Sequence, residues 1–580
     1  MRRPQDTVQP KALIIGLDAA TFALIKPWAQ AGHLPTFQRL LTEGTHGEFL
    51  STIPPVTAPS WTSFMTGKNP GKHGLYDFIE PQPDGYEPRY ANARSRFGKT
   101  LWEVLSEEGV SVGVLNVPMT YPPVPVRGYM ISGLDAPDSS SAITFPPELY
   151  QELTDQFGKV SQQIRFLGYL NTDERRTALL RALADMSAHY SAMTQYLIER
   201  HPVDVVMVVF TATDTVQHFF WHYMDPAHPQ YDAGAAENYR GAILQVYQQM
   251  DDIIGQLMAC LPADATVALM SDHGGAPTSA REFYLNRYLA ELGLLSLRRH
   301  SEIWYAPRAL LQSAMKKLDV VFRKTLTPQH KERIASWFPR LRQTWEAHSS
   351  GLSQIDWQRT RAYGHEILTH PSGIWINVKG RRPQGIVQPG AEYEALVQWL
   401  MARLYELQDP LTGKQLINRV YRKEEIYHGP YLERAPDLTL EWWDGVTFIA
   451  RRSFTDRATE QAIAYVGGQP ITTATWSGSH TLNGILMLWG KPFQVGKQLA
   501  PSAIFDLAPT LLYVLGVPIP HDMDGRVLCE AFTEAFAAEH VVLRRQDVEG
   551  DQQHSPREET YSEAEAAQMA ERLRNLGYIE

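Results

Sequence analysis

Short unbroken apolar runs alternate along the first 270 residues with longer stretches in which apolar side chains recur every three or four positions. The runs Ala12–Leu17, Val110–Val117, Val205–Phe210 and Thr266–Met270, and later Gly484–Trp489, have strand length and no polar face. That pattern predicts strands buried on both sides, as in a parallel sheet. Leu34–Thr42, Arg176–Ile198 and Tyr239–Leu261 carry the helical period. Strand alternating with helix predicts an α/β fold, a largely parallel sheet with helices on both faces. Ligands in such sheets sit beyond the C-terminal strand ends.

Two stretches break the alternation. Residues 136–200 hold Ser139–Ser141 and then mostly helical pattern, and residues 297–354 are basic, aromatic and helical, from Arg298 and Arg299 to Arg340 and Arg342. Both are expected to be inserted caps on a core of residues 11–296 and 355–535. The basic stretch reads first as a solvated helical face, with an anionic substrate, a membrane surface or a partner as the alternatives. The charged tail, 536–580, is expected to be a peripheral arm with a short helix over Ser562–Leu576.

Composition narrows the function classes. Lys plus Arg is 54 and Asp plus Glu is 64, a net charge of −10 that argues against binding driven by nucleic-acid phosphates. Only two cysteines occur, Cys260 and Cys529, which excludes a disulfide scaffold and a cysteine-rich zinc site. No apolar run approaches the roughly 18 residues of a membrane span, and the N-terminus lacks a signal-peptide core. A cytoplasmic location is the expectation.

The chemistry gathers at predicted strand ends. Asp18 ends the first strand, a position equally suited to a functional carboxylate or a helix N-cap. Pro54 and Pro55 force a turn into a helical stretch near Ser60, so a hydroxyl such as Thr57 would face free backbone N–H groups and the positive end of the helix dipole. Thr57 could instead simply cap that helix. Asp214 and His218 share a helix face at i, i+4 spacing, and His222 lies one turn further on. Asp272 and His273 are adjacent, and Gly274-Gly275 after them would permit a sharp turn. His480 precedes the last strand. Three Asp, three His and one Thr divide naturally into two metal sites. Two divalent ions bring +4, and three carboxylates plus one alkoxide bring −4, a balance suited to zinc or manganese.

The order Asp18, Thr57, Asp214-x-x-x-His218, Asp272-His273-Gly274, Gly478-x-His480 resembles the alkaline phosphatase superfamily, specifically its type I phosphodiesterase/nucleotide pyrophosphatase branch. Leu34-Pro35-Thr36-Phe37, Thr66–Gly74, Ile355-Asp356-Trp357, Asp506–Thr510, Asp524-Gly525-Arg526 and Leu576-Gly577-Tyr578 resemble that group too, over most of 11–530. The resemblance implies a hydrolase with two zinc ions flanking a threonine nucleophile. Asp18, Thr57, Asp272 and His273 would hold one ion, and Asp214, His218 and His480 the other. It implies displacement at phosphorus through a phospho-threonine, on small phosphodiesters or nucleotide pyrophosphates. Nucleotide pyrophosphatases carry an asparagine at the position matched here by Phe78, which would leave the phosphate-oxygen contact to another donor such as the Ala58 backbone N–H. A phosphomonoesterase on the same core, and a binding protein stabilised by its metals, are the competing readings. Trp61, Tyr76, Phe78 and Trp221 lie near the motifs and could either pack or stack on a substrate group.

Overall fold

A computed structural model describes residues 9–82, 85–137, 141–160, 172–279, 281–298, 352–366, 373–442, 448–450, 453, 462–465, 476–546, 560–576 and 578–579. Its main sheet contains the strands β1 (Ala12–Leu17), β2 (Thr45–Leu50), β3 (Val112–Val117), β4 (Gly128–Ser132), β5 (Thr144–Phe145), β6 (Val205–Phe210), β7 (Thr266–Met270), β10 (Asn483–Trp489) and β11 (Lys497–Gln498), and β12 (Ser502–Ala503) pairs with β2. Two further strands, β8 (Gly274–Pro277) and β9 (Gly478–Thr481), form a ribbon beside it. The helices that matter here are α1 (Phe22–Gln30), α2 (Pro35–Glu43), α3 (Thr57–Thr66), α4 (Asp173–Arg200), α5 (Ala212–Met224), α6 (Ala242–Ala259) and α7 (Glu563–Asn575).

The sheet runs β11-β2-β10-β7-β1-β6-β3-β4-β5. Its centre is parallel: β1 pairs with β6 and β7, and β3 with β6 and β4. β1, β3, β6 and β7 are buried along their whole length, so each reads as an unbroken apolar run. The late run Gly484–Trp489 was expected to join them in parallel. It lies antiparallel to both β7 and β2. A strand buried on both faces looks the same in sequence whichever way it runs. β2 has no apolar run: its residues alternate between buried and more exposed positions.

Helix packs closely on sheet at Gly16. A Cβ there would stand 2.4 Å from Trp61 Cη2 and 2.9 Å from Val209 Cγ2. Trp61 is fully buried on α3, so nothing nearby can swing away. Gly16→Ala is therefore expected to destabilise the fold by about 1–3 kcal/mol, seen as a lower urea midpoint at unchanged slope.

The part of the stretch 136–200 that is described joins the main core, where a cap over the site was expected. Its long helix α4 packs against α6 and α5 and along β6, burying Leu183, Met193 and Leu197 in the main core. A second hydrophobic cluster gathers Phe283, Leu289, Leu295, Leu352, Trp357, Val387, Leu400 and Val420 around the four-stranded sheet of Ala362–Gly364, Ile374–Ile376, Leu438–Trp442 and Ile417–Arg422. It draws on chain from both sides of the basic stretch. Residues 299–351 of that stretch lie outside the described residues. No described helix is long and apolar enough to cross a membrane.

Where a peripheral arm was expected, the described end of the tail, 560–576, packs into the main core. α7 starts at a capping box between Ser562 and Glu565, and it buries Met569 and Leu573 in the main core. Arg572 donates to the carbonyls of Leu134 and Ala136. The chain then turns inward, and Tyr578 is 2% exposed. Charged composition hid this, because the inward face of α7 needs only a few apolar positions.

Candidate active site

Parallel pairing brings three strand ends to one edge. Leu17 is level with Phe210, and Gly16 with Met270, so Asp18, the start of α5 and Asp272 emerge side by side. The turn after β1 is clamped by its neighbours. Thr213 Oγ1 donates to Asp18 O at 2.5 Å, Gln217 Nε2 to Ala19 O at 2.9 Å, and Ser271 Oγ to Ala20 O at 2.9 Å. Ala19 has φ +57°, and its N–H donates to Asp272 Oδ1 at 3.3 Å. Asp18 is not a helix cap, since Thr21 caps α1. Asp214 is not one either: Thr211 is at the N-cap of α5, and His218, instead of being exposed, is 2% exposed.

Thr57 is the first residue of α3. Val56 occupies the cap position and no side chain caps the helix, so the Thr57 hydroxyl is released for other partners. Its Oγ1 lies 3.2 Å from His273 Nε2 and 3.2 Å from the Tyr578 hydroxyl, fully buried. The Ala58 N–H lies in the first turn, where an α-helix offers no acceptor of its own, and Pro59 brings no N–H there at all. The approach to Thr57 is set by a hydroxyl network. Ser60 Oγ lies 2.8 Å from Ser51 Oγ and 2.9 Å from Thr52 Oγ1, which in turn donates to Pro54 O at 3.0 Å.

The ribbon β8–β9 delivers the last histidine, with Gly275 opposite His480. Gly274 and Gly275 are needed for close approach and not for a turn, since neither has a positive φ. A Cβ at Gly274 would stand 2.2 Å from Asn483 O, and one at Gly275 would stand 2.4 Å from Gln217 Oε1.

The three imidazoles are oriented alike. His218 Nδ1 lies 2.8 Å from Gly478 O, His480 Nδ1 2.9 Å from Pro55 O, and His273 Nδ1 3.2 Å from Gly274 O. A carbonyl oxygen only accepts, so Nδ1 carries the proton in each ring and a neutral ring presents a bare Nε2. Burial, then the neighbouring His480, holds the His273 pKa well below the ordinary value, and burial also lowers His480. Those Nε2 atoms point at carboxylate oxygens. His218 Nε2 is 3.0 Å and His480 Nε2 3.3 Å from Asp214 Oδ1, and His273 Nε2 is 3.2 Å from Asp272 Oδ2. His218 Nε2 and His480 Nε2 also face one another at 3.1 Å.

Lone pair thus opposes lone pair around a buried centre. Among the described residues no hydrogen bond reaches Asp18 Oδ1, Asp214 Oδ1 or Asp272 Oδ2. Burial, with the charges of Asp272 and Asp214, raises the Asp18 pKa well above the carboxylate range, and burial raises Asp272 likewise. Such a donor set fits cations. Ligand atoms of Asp214, His273 and His480 lie within 4.8 Å of one another, and so do those of Asp18, Asp272 and His273. His273 belongs geometrically to both groups, and His218 adjoins the first.

The sequence profile of the type I phosphodiesterase / nucleotide pyrophosphatase family matches residues 12–468. The chain belongs to that family. As a type I phosphodiesterase / nucleotide pyrophosphatase family member it is a hydrolase of phosphoric ester bonds, and the family depends on divalent metal ions, for which the two groups above are this chain's candidate ligands. A comparison with curated protein sequences finds no match. Among solved structures, phosphonoacetate hydrolase from Sinorhizobium meliloti 1021 is similar in fold, with 14% identity, TM-score 0.50, and 88% of this chain and 96% of that one covered. Human ectonucleotide pyrophosphatase / phosphodiesterase 5 aligns with 12% identity and TM-score 0.48, covering 90% of this chain and all of that one.

Other family phrases serve the frame of the site. Lys68 pairs with Asp522 and Lys72 with Asp524, while Asn69 caps the short helix Pro70–His73 and binds Asp524. Asp506 accepts from the N–H groups of Ala503 and Arg526. His222 lies against Tyr223 and joins neither ligand group. Trp61, Phe78 and Trp221 are buried packing residues, and Tyr76 donates to Tyr431 O at 2.9 Å. Reading along the sequence missed two neighbours of the site. Trp476 stacks on His218 at 3.7 Å, and Tyr578 reaches Thr57 from the far end of the chain. The Leu576-Gly577-Tyr578 phrase was the only signal of the second.

Proposed function

We propose that this enzyme hydrolyses small phosphodiesters or nucleotide pyrophosphates through a phospho-threonine on Thr57. The observation that carries the reading is the placement of the Thr57 hydroxyl. It starts a helix it does not cap and lies 3.2 Å from His273 Nε2, beside two buried groups of metal-ligand atoms. Asp18, Thr57, Asp272 and His273 would hold one divalent ion, and Asp214, His218 and His480 a second, zinc being the fit to this mixed N/O donor set. Bound there, the ions would acidify the threonine hydroxyl and offset charge on phosphoryl oxygens.

The protein supplies alignment and fixed dipoles. The hydroxyl network of Ser51, Thr52 and Ser60 sets the turn that aims Thr57 Oγ1 at phosphorus. The Oγ1–P bond forms as the bond from phosphorus to the leaving oxygen breaks. The hydroxyl gives up its proton, and the leaving oxygen takes one up. Water then cleaves the phospho-threonine, releasing the phosphate product and restoring the hydroxyl. The Ala58 N–H, at the positive end of α3, is placed to donate to a non-bridging oxygen.

The deciding experiment compares bis(p-nitrophenyl) phosphate with p-nitrophenyl phosphate on protein stripped of metal and reloaded with zinc or manganese. Metal-dependent turnover with the diester strongly preferred is the expected result. A monoester preference would move the chain to phosphomonoesterases. Silence on both esters, with a large melting shift on metal loading, would fit a binding protein.

A further inference from the structure

We propose that Tyr578 is a catalytic residue, whose phenol donates a hydrogen bond to a non-bridging oxygen of the phosphoryl group carried on Thr57, so that the C-terminal segment completes the active site. The inference rests on Thr57 being the nucleophile and adds to it a side-chain donor from the C-terminal segment.

The geometry is specific. The Tyr578 hydroxyl lies 3.2 Å from Thr57 Oγ1 and donates towards Asp214 Oδ2 at 3.3 Å, so it bridges the reacting hydroxyl and a candidate metal ligand. Its ring is fixed on two sides. Phe78 lies 5.2 Å away, and Trp476 meets it edge-on at 5.1 Å and 89°. Trp476 Nε1 donates to Leu576 O at 3.2 Å, which ties the same indole to the tail backbone. With the ring held and Tyr578 2% exposed, the hydroxyl oxygen is fixed beside Thr57 Oγ1, and its one proton, directed at Asp214 Oδ2 here, turns to the phosphoryl oxygen when that group is in place. The non-bridging oxygens of a phosphoryl group bonded to Oγ1 fall within reach of a donor so placed.

The segment that carries Tyr578 is anchored, as a catalytic group requires. Thr560 Oγ1 donates to Tyr90 O at 3.0 Å, Tyr561 to Asp135 O at 2.8 Å, and Tyr121 to Glu565 Oε1 at 2.6 Å. Tyr578 N–H closes the turn after α7 by donating to Leu573 O at 2.8 Å. A tail that only needed to cover the surface would gain nothing from a buried hydroxyl aimed at Thr57.

Tyr578→Phe keeps the ring contacts with Phe78 and Trp476 and removes only the donor. On bis(p-nitrophenyl) phosphate, kcat of the metal-loaded enzyme is expected to fall about 10²-fold with KM within about threefold, the pattern for a bond made in the transition state. Orthovanadate affinity should fall at least about tenfold, and the melting temperature should stay within about 2 °C. A chain ending at Leu576 should lose at least as much turnover. Higher turnover in either variant would overturn the proposal in favour of a blocking plug. Unchanged kcat and unchanged vanadate binding would overturn it in favour of packing alone. If the wild-type protein shows no turnover at all, the phospho-threonine reading fails separately, and vanadate binding that differs between wild type and Tyr578→Phe still decides whether this phenol meets the anion.

Discussion

Replacing Thr57 by Ala is expected to lower metal-loaded hydrolysis of bis(p-nitrophenyl) phosphate by at least about 10⁴-fold, the scale on which loss of an enzyme nucleophile is felt. The fold should survive the change. Val56 and not Thr57 holds the N-cap position of α3, so no helix-capping hydrogen bond is lost. What goes is one buried hydroxyl with contacts to His273 and Tyr578, worth about 1–3 kcal/mol. Metal content, measured on the purified variant, should remain near that of the wild type, because Asp18, Asp272 and His273 still hold the ion that loses the Thr57 oxygen and the other centre is untouched. Thr57→Ser should keep a measurable fraction of the activity, since the hydroxyl remains on the same turn. Wild-type rates in Thr57→Ala would remove this residue from the mechanism outright.

The second large effect is expected from removing metal. Dialysis against a chelator should abolish hydrolysis and also lower the melting temperature, and readdition of zinc should restore both. Three carboxylates converge with three bare imidazole nitrogens, and Asp18 Oδ1, Asp214 Oδ1 and Asp272 Oδ2 have no hydrogen-bond donor among the described residues. An ion present at about 100 times its dissociation constant contributes roughly 2.7 kcal/mol to the folded state. For a domain of this size that is several degrees. Asp272→Asn should reproduce much of the loss of activity at one centre, read as a lower metal stoichiometry. A melting curve indifferent to chelator, with activity retained, would overturn the assignment of these residues as ligands.

How legible this was depended on the kind of signal. Ala12–Leu17, Val205–Phe210 and Thr266–Met270 coincide with their strands because burial on both faces removes every polar position from them. A polar side chain at their ends therefore stands out, and Asp18, Asp214 and Asp272 were found that way. β2 was missed, since an alternating six-residue stretch such as Thr45–Leu50 is a weak period. The direction of β10 was not legible either, because hydrophobicity carries no polarity of the chain. Gly274-Gly275 read as a turn, but the glycines answer to Asn483 and Gln217, residues that only the fold brings near.

By itself the sequence determined the α/β class, the family, and which side chains at the strand ends were available for metal and nucleophile. These follow from local patterns: the period of burial, helical i, i+4 spacing, and motif order. Only the tertiary structure decided which atoms those side chains present. Carbonyls at Gly274, Gly478 and Pro55 choose the bare Nε2 of three histidines, and each is supplied by folding of the backbone. It alone decided that the charged tail ends in the site, with Tyr578 beside Thr57 across 521 positions of sequence. The reason is physical. Local propensity acts over a few residues, whereas a hydrogen bond depends on distance in space, and no periodicity along the chain encodes the closeness of two distant segments.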